Sequence, residues 1–146
     1  KTDYKLLPPL RTSTDIKALL KGITEGVIDA ITSDHNPIDI EHKKIEFDHA
    51  LYGSIGLESC FGALNSLLST VMAIKMLTGL KKEFSVETIG IEENNNADIT
   101  LFNPNGEWVF SEKHILSSSK NSALITCDLK GTVYGIFANK KLVLNK

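Results

Sequence analysis

The residues with the clearest chemical potential follow a short apolar run, where a carboxylate and an imidazole precede a proline. The run is Val27–Ser33, and Asp34 and His35 come directly after it. A short apolar run of this kind, preceded by a predicted helix, is typical of a buried parallel strand. In parallel α/β folds, functional groups stand at the carboxyl ends of such strands. The sequence therefore predicts Asp34 as a functional carboxylate, with a turn-capping role as the alternative.

The loop after this strand carries a second set of metal-binding residue types. His35, His42 and His49 recur every seven residues, and four carboxylates lie among them: Asp39, Glu41, Glu46 and Asp48. Such a set would suit zinc, but no cysteine joins it at zinc-finger spacing, and a loop of mixed charge is usually a solvated surface. We interpret the loop as surface and His35 as a packed residue at the rim of the strand ends.

Composition limits the partners and the compartment. The 146 residues are 42% hydrophobic and carry a net charge of −2, which favours a buried core and offers no basic face for nucleic acid or a membrane surface. No stretch approaches the roughly 18 apolar residues of a membrane span. Cys60 and Cys127 are too few for a disulfide framework, so we expect reduced thiols and a cytoplasmic protein. The start at Lys1, without Met or an apolar signal core, leads us to expect a truncated parent.

Residues 1–90 alternate predicted strands and helices. Tyr4–Leu7 is a strand candidate closed by two prolines, and Ser13 or Thr14 is expected to cap a helix that runs to about Glu25 and stops at Gly26. Four apolar residues of this helix share one face predicted to pack on the sheet: Ile16, Leu19, Leu20 and Ile23.

A long charged loop from Asn36 to about Ser54 is a candidate active-site loop or lid, since it is too long for a simple connection. Two helices are predicted after it, at about Leu57 to Leu68 and Val71 to about Leu80. The second is expected to pack in the core through Val71, Ile74, Met76 and Leu77.

Residues 91–146 form a β-rich part, with the boundary between the two parts placed from Thr88 to Asn96. One hairpin is predicted from Ala97–Phe102 and Trp108–Phe110 around a turn at Asn103–Gly106. A second hairpin joins Thr132–Phe137 to Lys141–Leu144 around Ala138–Lys140.

Several stretches, taken in order, carry a family resemblance: Pro8–Arg11, Asp29–His35, Tyr52–Glu58, Ala97–Phe102, and Ser119–Ser122 with Leu129–Gly131. Together they resemble the C-terminal portion of dihydroorotases, which are cyclic amidohydrolases of the metal-dependent hydrolase superfamily. The resemblance implies an α/β fold with the last strands and helices of a (β/α)8 barrel in residues 1–90 and a small appended β-sandwich in residues 91–146. Tyr4–Leu7 would be the seventh barrel strand and Val27–Ser33 the eighth, with the first six strands upstream.

The same resemblance implies a chemistry. In this family two metal ions, here taken as zinc, share a hydroxide that attacks a ring amide carbon, and a carboxylate after strand eight binds one metal and shuttles the proton. Asp34 matches that carboxylate, while the backbone of Tyr52 and Gly53 matches the segment that approaches the substrate ring. The other metal ligands would lie upstream, so we expect this chain to hold at most one ligand and to be inactive alone.

Two positions depart from the family pattern. Leu7 stands where the family has Asn, and Ile38 where it has a second His. Both family side chains donate hydrogen bonds to substrate, and each lost buried bond costs about 1–3 kcal/mol. Arg11, which follows the two prolines, would face substrate or a partner, or else form a surface ion pair.

Two hypotheses follow from these matches and departures. In the first, the parent is an enzyme that hydrolyses or closes a small cyclic amide, with dihydroorotate of pyrimidine biosynthesis as the leading candidate. In the second, it is a catalytically lapsed barrel that supports an oligomer, with aspartate carbamoyltransferase as a possible partner. Because a partial barrel exposes strand edges, we also expect a homo-oligomer or contact with the upstream barrel half.

Overall fold

The computed structural model describes residues 1–86 and 90–145, which form helices followed by an antiparallel sheet. The helices are α1 (Ser13–Thr24), α2 (Cys60–Leu67) and α3 (Thr70–Thr78), and the strands are β1 (Ile99–Val109), β2 (Asp128–Ala138) and β3 (Lys141–Leu144). Short 3-10 turns lie at Thr2–Tyr4, Ile40–His42, Gly79–Lys81 and Glu112–His114. Part of the expected domain boundary, at Thr88 and Ile89, lies outside the described residues, and the division near residue 90 stays a prediction.

The sheet has the order β1-β2-β3, with all pairs antiparallel. The predicted hairpin between β2 and β3 is confirmed, and Asn139 and Lys140 form its two-residue turn with φ of 51° and 61°. Positive φ at both positions suits the tight turn that follows the twist of paired strands. β2 begins earlier than predicted, at Asp128, because its first residues pair with the end of β1.

The other predicted hairpin is wrong, because residues 103–106 do not turn the chain. β1 runs straight through them, and three of its residues face the single Gly131 of β2, which makes a bulge. The amide of Asn65 on α2 donates to the carbonyls of Pro104 and Lys130 at 2.9 Å each, and the Trp108 indole donates to the Gly131 carbonyl at 3.0 Å. Gly131 has φ of 98°, and a Cβ there would lie 2.7 Å from the Phe61 ring. These hydrogen bonds give the backbone carbonyls of the bulge their partners, so a sequence typical of a turn remains within a strand.

The hydrophobic core lies between α2 and the sheet. Its buried residues are Ile55, Phe110, Ile115 and Leu129, with partly buried Ala63, Trp108, Leu124, Ile125 and Cys127 packed around them. Phe110 is fully buried and meets the Trp108 ring edge-on at 5.8 Å between centroids. This unit holds the two segments that border it, residues 53–59 and 111–125, next to each other.

Neither of the two strands predicted in the first ninety residues forms the backbone hydrogen bonds to a neighbouring strand that define a sheet. Thr2–Tyr4 is a 3-10 turn, and Val27–Ser33 joins no sheet; its Ile31 amide donates to the Met76 carbonyl at 3.0 Å. A single parallel bridge between His35 and Ser54 follows. A strand is defined by hydrogen bonds to its neighbours, and within the described residues no neighbouring strand is present. Neither segment is therefore a strand among the described residues, and their place in a barrel stays a prediction.

Helix α1 has the predicted extent but a different cap. Thr12, rather than Ser13 or Thr14, caps it: the Thr12 hydroxyl accepts from the Asp15 amide at 3.3 Å, and the Asp15 carboxylate accepts from the Thr12 amide at 3.1 Å. This reciprocal pair satisfies two backbone donors that the helix itself leaves free. The stop at Gly26 is confirmed, with φ of 72°.

The apolar faces of the helices are less buried than the sequence predicts. On α1 only Ile23 is buried, while Ile16 and Leu19 are half exposed. On α3 the buried residues are Ala73 and Met76, and Val71, expected in the core, is 79% exposed. Within the described residues α1 covers no sheet, because Tyr4–Leu7 and Val27–Ser33 form no strands there, and its packing on a completed sheet stays a prediction.

The capping box generates a stability prediction. Thr12→Ala should lower the free energy of unfolding by about 1 kcal/mol, because the Asp15 amide loses its acceptor. Thr14→Ala, which removes a neighbouring exposed hydroxyl, should change it by less than about 0.5 kcal/mol. Urea unfolding of the full-length protein measures both; equal losses would contradict the assignment of Thr12 as the cap.

Candidate functional site

Asp34 is an exposed carboxylate at a strained backbone position. Its φ is 42°, a left-handed conformation that few residues other than glycine adopt but that Asp tolerates better than most. The residues after it are fixed, because His35 bridges to Ser54 and the Asn36 amide donates to the Ser54 carbonyl at 2.9 Å. Strained positions of this kind concentrate at functional sites. The structure presents an exposed carboxylate directly after residues 27–33, and its functional role stays a prediction.

The imidazole of His35 is a structural acceptor in this arrangement. Its Nδ1 accepts hydrogen bonds from the amides of Gly56 and Leu57, both at 3.2 Å. An Nδ1 that accepts carries no proton, so the geometry assigns the neutral ring with its proton on Nε2. The side chain is 20% exposed. This arrangement fits the packed role predicted for His35.

Glu58 lies next to His35 and has no role predicted from the sequence. Its Oε1 accepts from the amides of Leu116 and Ser117 at 3.1 and 2.9 Å, while its buried Oε2 has no hydrogen-bond partner in the described chain. That Oε2 lies 4.0 Å from His35 Nδ1. Glu58 thus joins the segment after β1 to the turn that holds His35. The one signal for it was its place at the end of the stretch Tyr52–Glu58.

Gly53 lies where only glycine fits. It is buried with φ of 143°, and a Cβ would lie 2.9 Å from both the side-chain Nδ2 of Asn36 and Ile38 Cγ1. Its amide donates to the Lys5 carbonyl and its carbonyl accepts from the Asn121 side chain, both at 3.1 Å. The structure therefore brings together two of the positions that the resemblance assigns to substrate, Gly53 and Ile38.

Of the other two of these positions, Tyr52 contacts Lys5 through its ring and Leu7 follows Lys5 by two residues. The Lys5 ammonium donates to the carbonyls of Phe47 and Asp48 at 2.8 Å each and lies 5.0 Å from the centre of the Tyr52 ring. Tyr52 is half exposed, and Leu7 is 65% exposed, two residues beyond Lys5, with a cis peptide bond to Pro8. Lys5 is a second organising residue that the sequence did not reveal.

Two ionisable groups near these segments have shifted pKa values. Burial lowers the pKa of the Lys43 ammonium, the nearby Asp3 carboxylate acts in the opposite direction, and the Lys5 ammonium lowers it further. Lys43 Nζ donates to the Thr2 carbonyl at 3.1 Å, which fixes the amino-terminal turn to the loop. Burial raises the pKa of the Cys60 thiol, which disfavours the reactive thiolate.

The charged loop does not gather into a metal site. Among residues 1–86 and 90–145 no group of three or more His, Cys, Asp or Glu side chains is arranged to hold a metal ion. His49 pairs with Glu46 at 3.8 Å on the surface, and Arg11 pairs with Asp15 at 3.6 Å. A zinc site needs at least three protein ligands, so Asp34 cannot form such a site alone.

A cavity of about 590 Å³ lies between the amino-terminal turn, the charged loop and residues 118–123. Ile38 and Asn121 line it, but Asp34, Tyr52 and Gly53 do not. It therefore lies apart from the candidate carboxylate, and we do not assign substrate to it.

The described helices include none long and apolar enough to cross a membrane.

The contacts of Glu58 generate a prediction. Glu58→Ala should lower the free energy of unfolding by about 2–3 kcal/mol, because two backbone amides lose a charged acceptor. Glu58→Gln keeps an oxygen at Oε1 and should cost less than half as much. Chemical unfolding of the full-length protein compares them; equal losses would show that the bonds to Leu116 and Ser117 contribute little.

Several named proteins are similar in sequence to this chain along nearly its whole length, although no protein-family model matches the chain. A dihydroorotase from Elusimicrobium minutum is 35% identical over 96% of this chain, one from Endomicrobium trichonymphae 38% over 89%, and one from Chlorobaculum tepidum 32% over 99%. The matched segments cover 34%, 33% and 34% of the length of these three relatives, respectively. The chain thus spans about a third of the length of the curated relatives it matches.

Solved structures share its fold at lower identity. A D-hydantoinase superposes with a TM-score of 0.83 at 20% identity, over 99% of this chain and 34% of that protein. The L-hydantoinase from Arthrobacter aurescens gives 0.80 at 20% identity, over 99% of this chain and 35% of that protein. The resemblance predicted from the sequence stretches is confirmed: along nearly its whole length this chain is similar in sequence to dihydroorotases and in fold to hydantoinases.

Proposed function

We propose that this chain is the C-terminal portion of a dihydroorotase, which reversibly hydrolyses the cyclic amide dihydroorotate to carbamoyl aspartate in pyrimidine biosynthesis. The observation that carries the proposal is the match to dihydroorotases at 32–38% identity over 89–99% of the chain. The exposed Asp34 at the end of its segment supports it. The free thiols of Cys60 and Cys127 agree with a cytoplasmic location.

The upstream part of the same polypeptide would complete the fold. On this proposal residues 1–90 close a (β/α)8 barrel, with Tyr4–Leu7 and Val27–Ser33 pairing with strands that are not in this chain. The half-exposed apolar face of α1 and the 74% exposed Val27 are surfaces that such a barrel would cover. The exposed apolar residues of β3 would likewise be covered in the appended β-sandwich: Leu142, Val143 and Leu144.

Asp34 would act as both a metal ligand and a proton carrier. Zinc, held by Asp34 and by ligands from the upstream part, would supply a hydroxide that is nucleophilic near neutral pH. The Asp34 carboxylate would accept the proton of the attacking hydroxide and return it to the departing ring nitrogen. Its exposure and the fixed backbone directly after it favour such a role.

Leu7 and Ile38 would make substrate binding weaker than in relatives with polar side chains there. Neither side chain offers a hydrogen bond, so recognition would rest on the backbone around Gly53 and on groups from the upstream part. The alternative of a catalytically lapsed barrel, with an oligomeric or aspartate carbamoyltransferase partner, gains no support from the names of the relatives.

The first test is the role of Asp34. In the full-length protein with added zinc, Asp34→Ala should lower kcat for ring opening and ring closing at least about a hundredfold, since the proton carrier is lost. Asp29→Ala, at an exposed carboxylate in the same segment, should retain wild-type rates. Unchanged activity of Asp34→Ala would refute the assignment, and an inactive but folded wild-type protein would refute the proposed reaction.

The second test restores a polar group at a substrate position. Ile38→His should lower the KM for dihydroorotate about tenfold. A tenfold change corresponds to about 1.4 kcal/mol, which is within the range expected for one added buried hydrogen bond. Ile40→His, on an exposed residue of the same loop, is the control and should leave KM unchanged. An unchanged or higher KM in Ile38→His would show that dihydroorotate does not contact position 38.

A further inference from the structure

The buried side chain of Asn121 connects two segments that are far apart in sequence. Asn121 is 7% exposed, and its Nδ2 donates to the Gly53 carbonyl at 3.1 Å. Its Oδ1 accepts from the Ile38 amide at 3.1 Å, and its own carbonyl accepts from the Ile55 amide at 2.9 Å. One residue of the carboxyl-terminal half therefore holds both of the loops that contain candidate substrate positions.

Ser119 completes the connection to Ile38. Its hydroxyl donates to the Ile38 carbonyl at 2.6 Å and lies beside Asn121 Oδ1. Both backbone polar groups of Ile38 are therefore bonded to residues 119–121. The position of Ile38 relative to Gly53 depends on this segment, which is joined to the core by the hydrogen bond from the Ile55 amide to the Asn121 carbonyl.

We propose that Asn121 is a positioning residue that sets the distance between Ile38 and Gly53, and with it the shape of the substrate site; this inference rests on the proposed function. Asn121 touches neither substrate nor metal in this assignment and acts through the backbone of these two residues. Asn121 lies in the stretch Ser119–Ser122 that resembles the family, but the resemblance assigned it no role.

The chemistry of the position requires an amide. The Gly53 carbonyl needs a donor and the Ile38 amide needs an acceptor, and a carboxamide presents one of each about 2 Å apart. Aspartate at this position would keep the acceptor but would set a negative oxygen against the Gly53 carbonyl. Leucine would leave both buried groups without partners.

A second buried asparagine supplies a matched control. Asn65 is 4% exposed, donates from Nδ2 to the carbonyls of Pro104 and Lys130, and accepts from the Thr70 hydroxyl at 2.7 Å. Its burial and hydrogen-bond number resemble those of Asn121, but it holds the β1 bulge. Substitution of either asparagine should therefore lower stability by a similar amount, while only substitution of Asn121 should affect the substrate site.

The test compares Asn121→Asp and Asn65→Asp in the full-length protein. Asn121→Asp should raise the KM for dihydroorotate about tenfold or more with a smaller change in kcat, while Asn65→Asp should lower stability and leave KM unchanged. Ser119→Ala, a milder variant that keeps the amide, should raise KM in the same direction and serves if Asn121→Asp does not fold. Equal KM values in all variants and wild type would overturn the positioning role.

Hydrogen exchange separates this inference from the proposed reaction. In Asn121→Leu the Ile38 amide should exchange faster than in wild type, whereas Asn65→Leu should leave its exchange unchanged. If the wild-type protein shows no activity on dihydroorotate, the proposed reaction fails, and the exchange of Ile38 still decides whether Asn121 holds the loop. Unchanged exchange in Asn121→Leu would overturn the inference independently of any activity.

Discussion

The backbone of the turn at residues 53–58 is the constraint on which the candidate site depends. The segment that ends at Asp34 has no sheet around it in the described residues, so its end is fixed by the bridge from His35 to Ser54 and by the two amides that donate to the His35 ring. The same turn carries Gly53, whose amide and carbonyl bind Lys5 and Asn121. Movement of this turn would displace the carboxylate and the loop at Ile38 together.

The turn is fixed in its place by the unit of α2 and the sheet. Ile55 is in the core with Phe110, and Glu58 binds the amides of the segment that leaves β1. Packing of apolar side chains therefore supplies the stability, while buried polar side chains define how the loops sit on it. Each of these polar groups is costly to bury without partners, so the arrangement allows few alternatives for the loops.

The relatives in fold and the relatives in sequence carry different names. The structural similarity extends to hydantoinases at about 20% identity, whereas the closer sequence matches carry the name dihydroorotase. One scaffold can serve several reactions, and residues at the loops decide which ligand is accepted. On the proposed function, the aliphatic Leu7 and Ile38 lie at such loops, near backbone that Lys5 and Asn121 hold through hydrogen bonds.

The sequence by itself determined the features that depend on local chemistry. The extent of α1, its stop at Gly26 and the turn at Asn139 and Lys140 follow from short-range propensities, and Asp34 was marked by its place after an apolar run. Tertiary structure decided the rest. The sequence Asn103–Gly106 became a bulge because Asn65 satisfies it, and Val27–Ser33 lacks a ladder because a strand requires neighbours that a local pattern cannot supply. Asn121, Glu58 and Lys5 acquired their roles through hydrogen-bond partners 42 or more residues away, and such contacts exist only once the chain is folded.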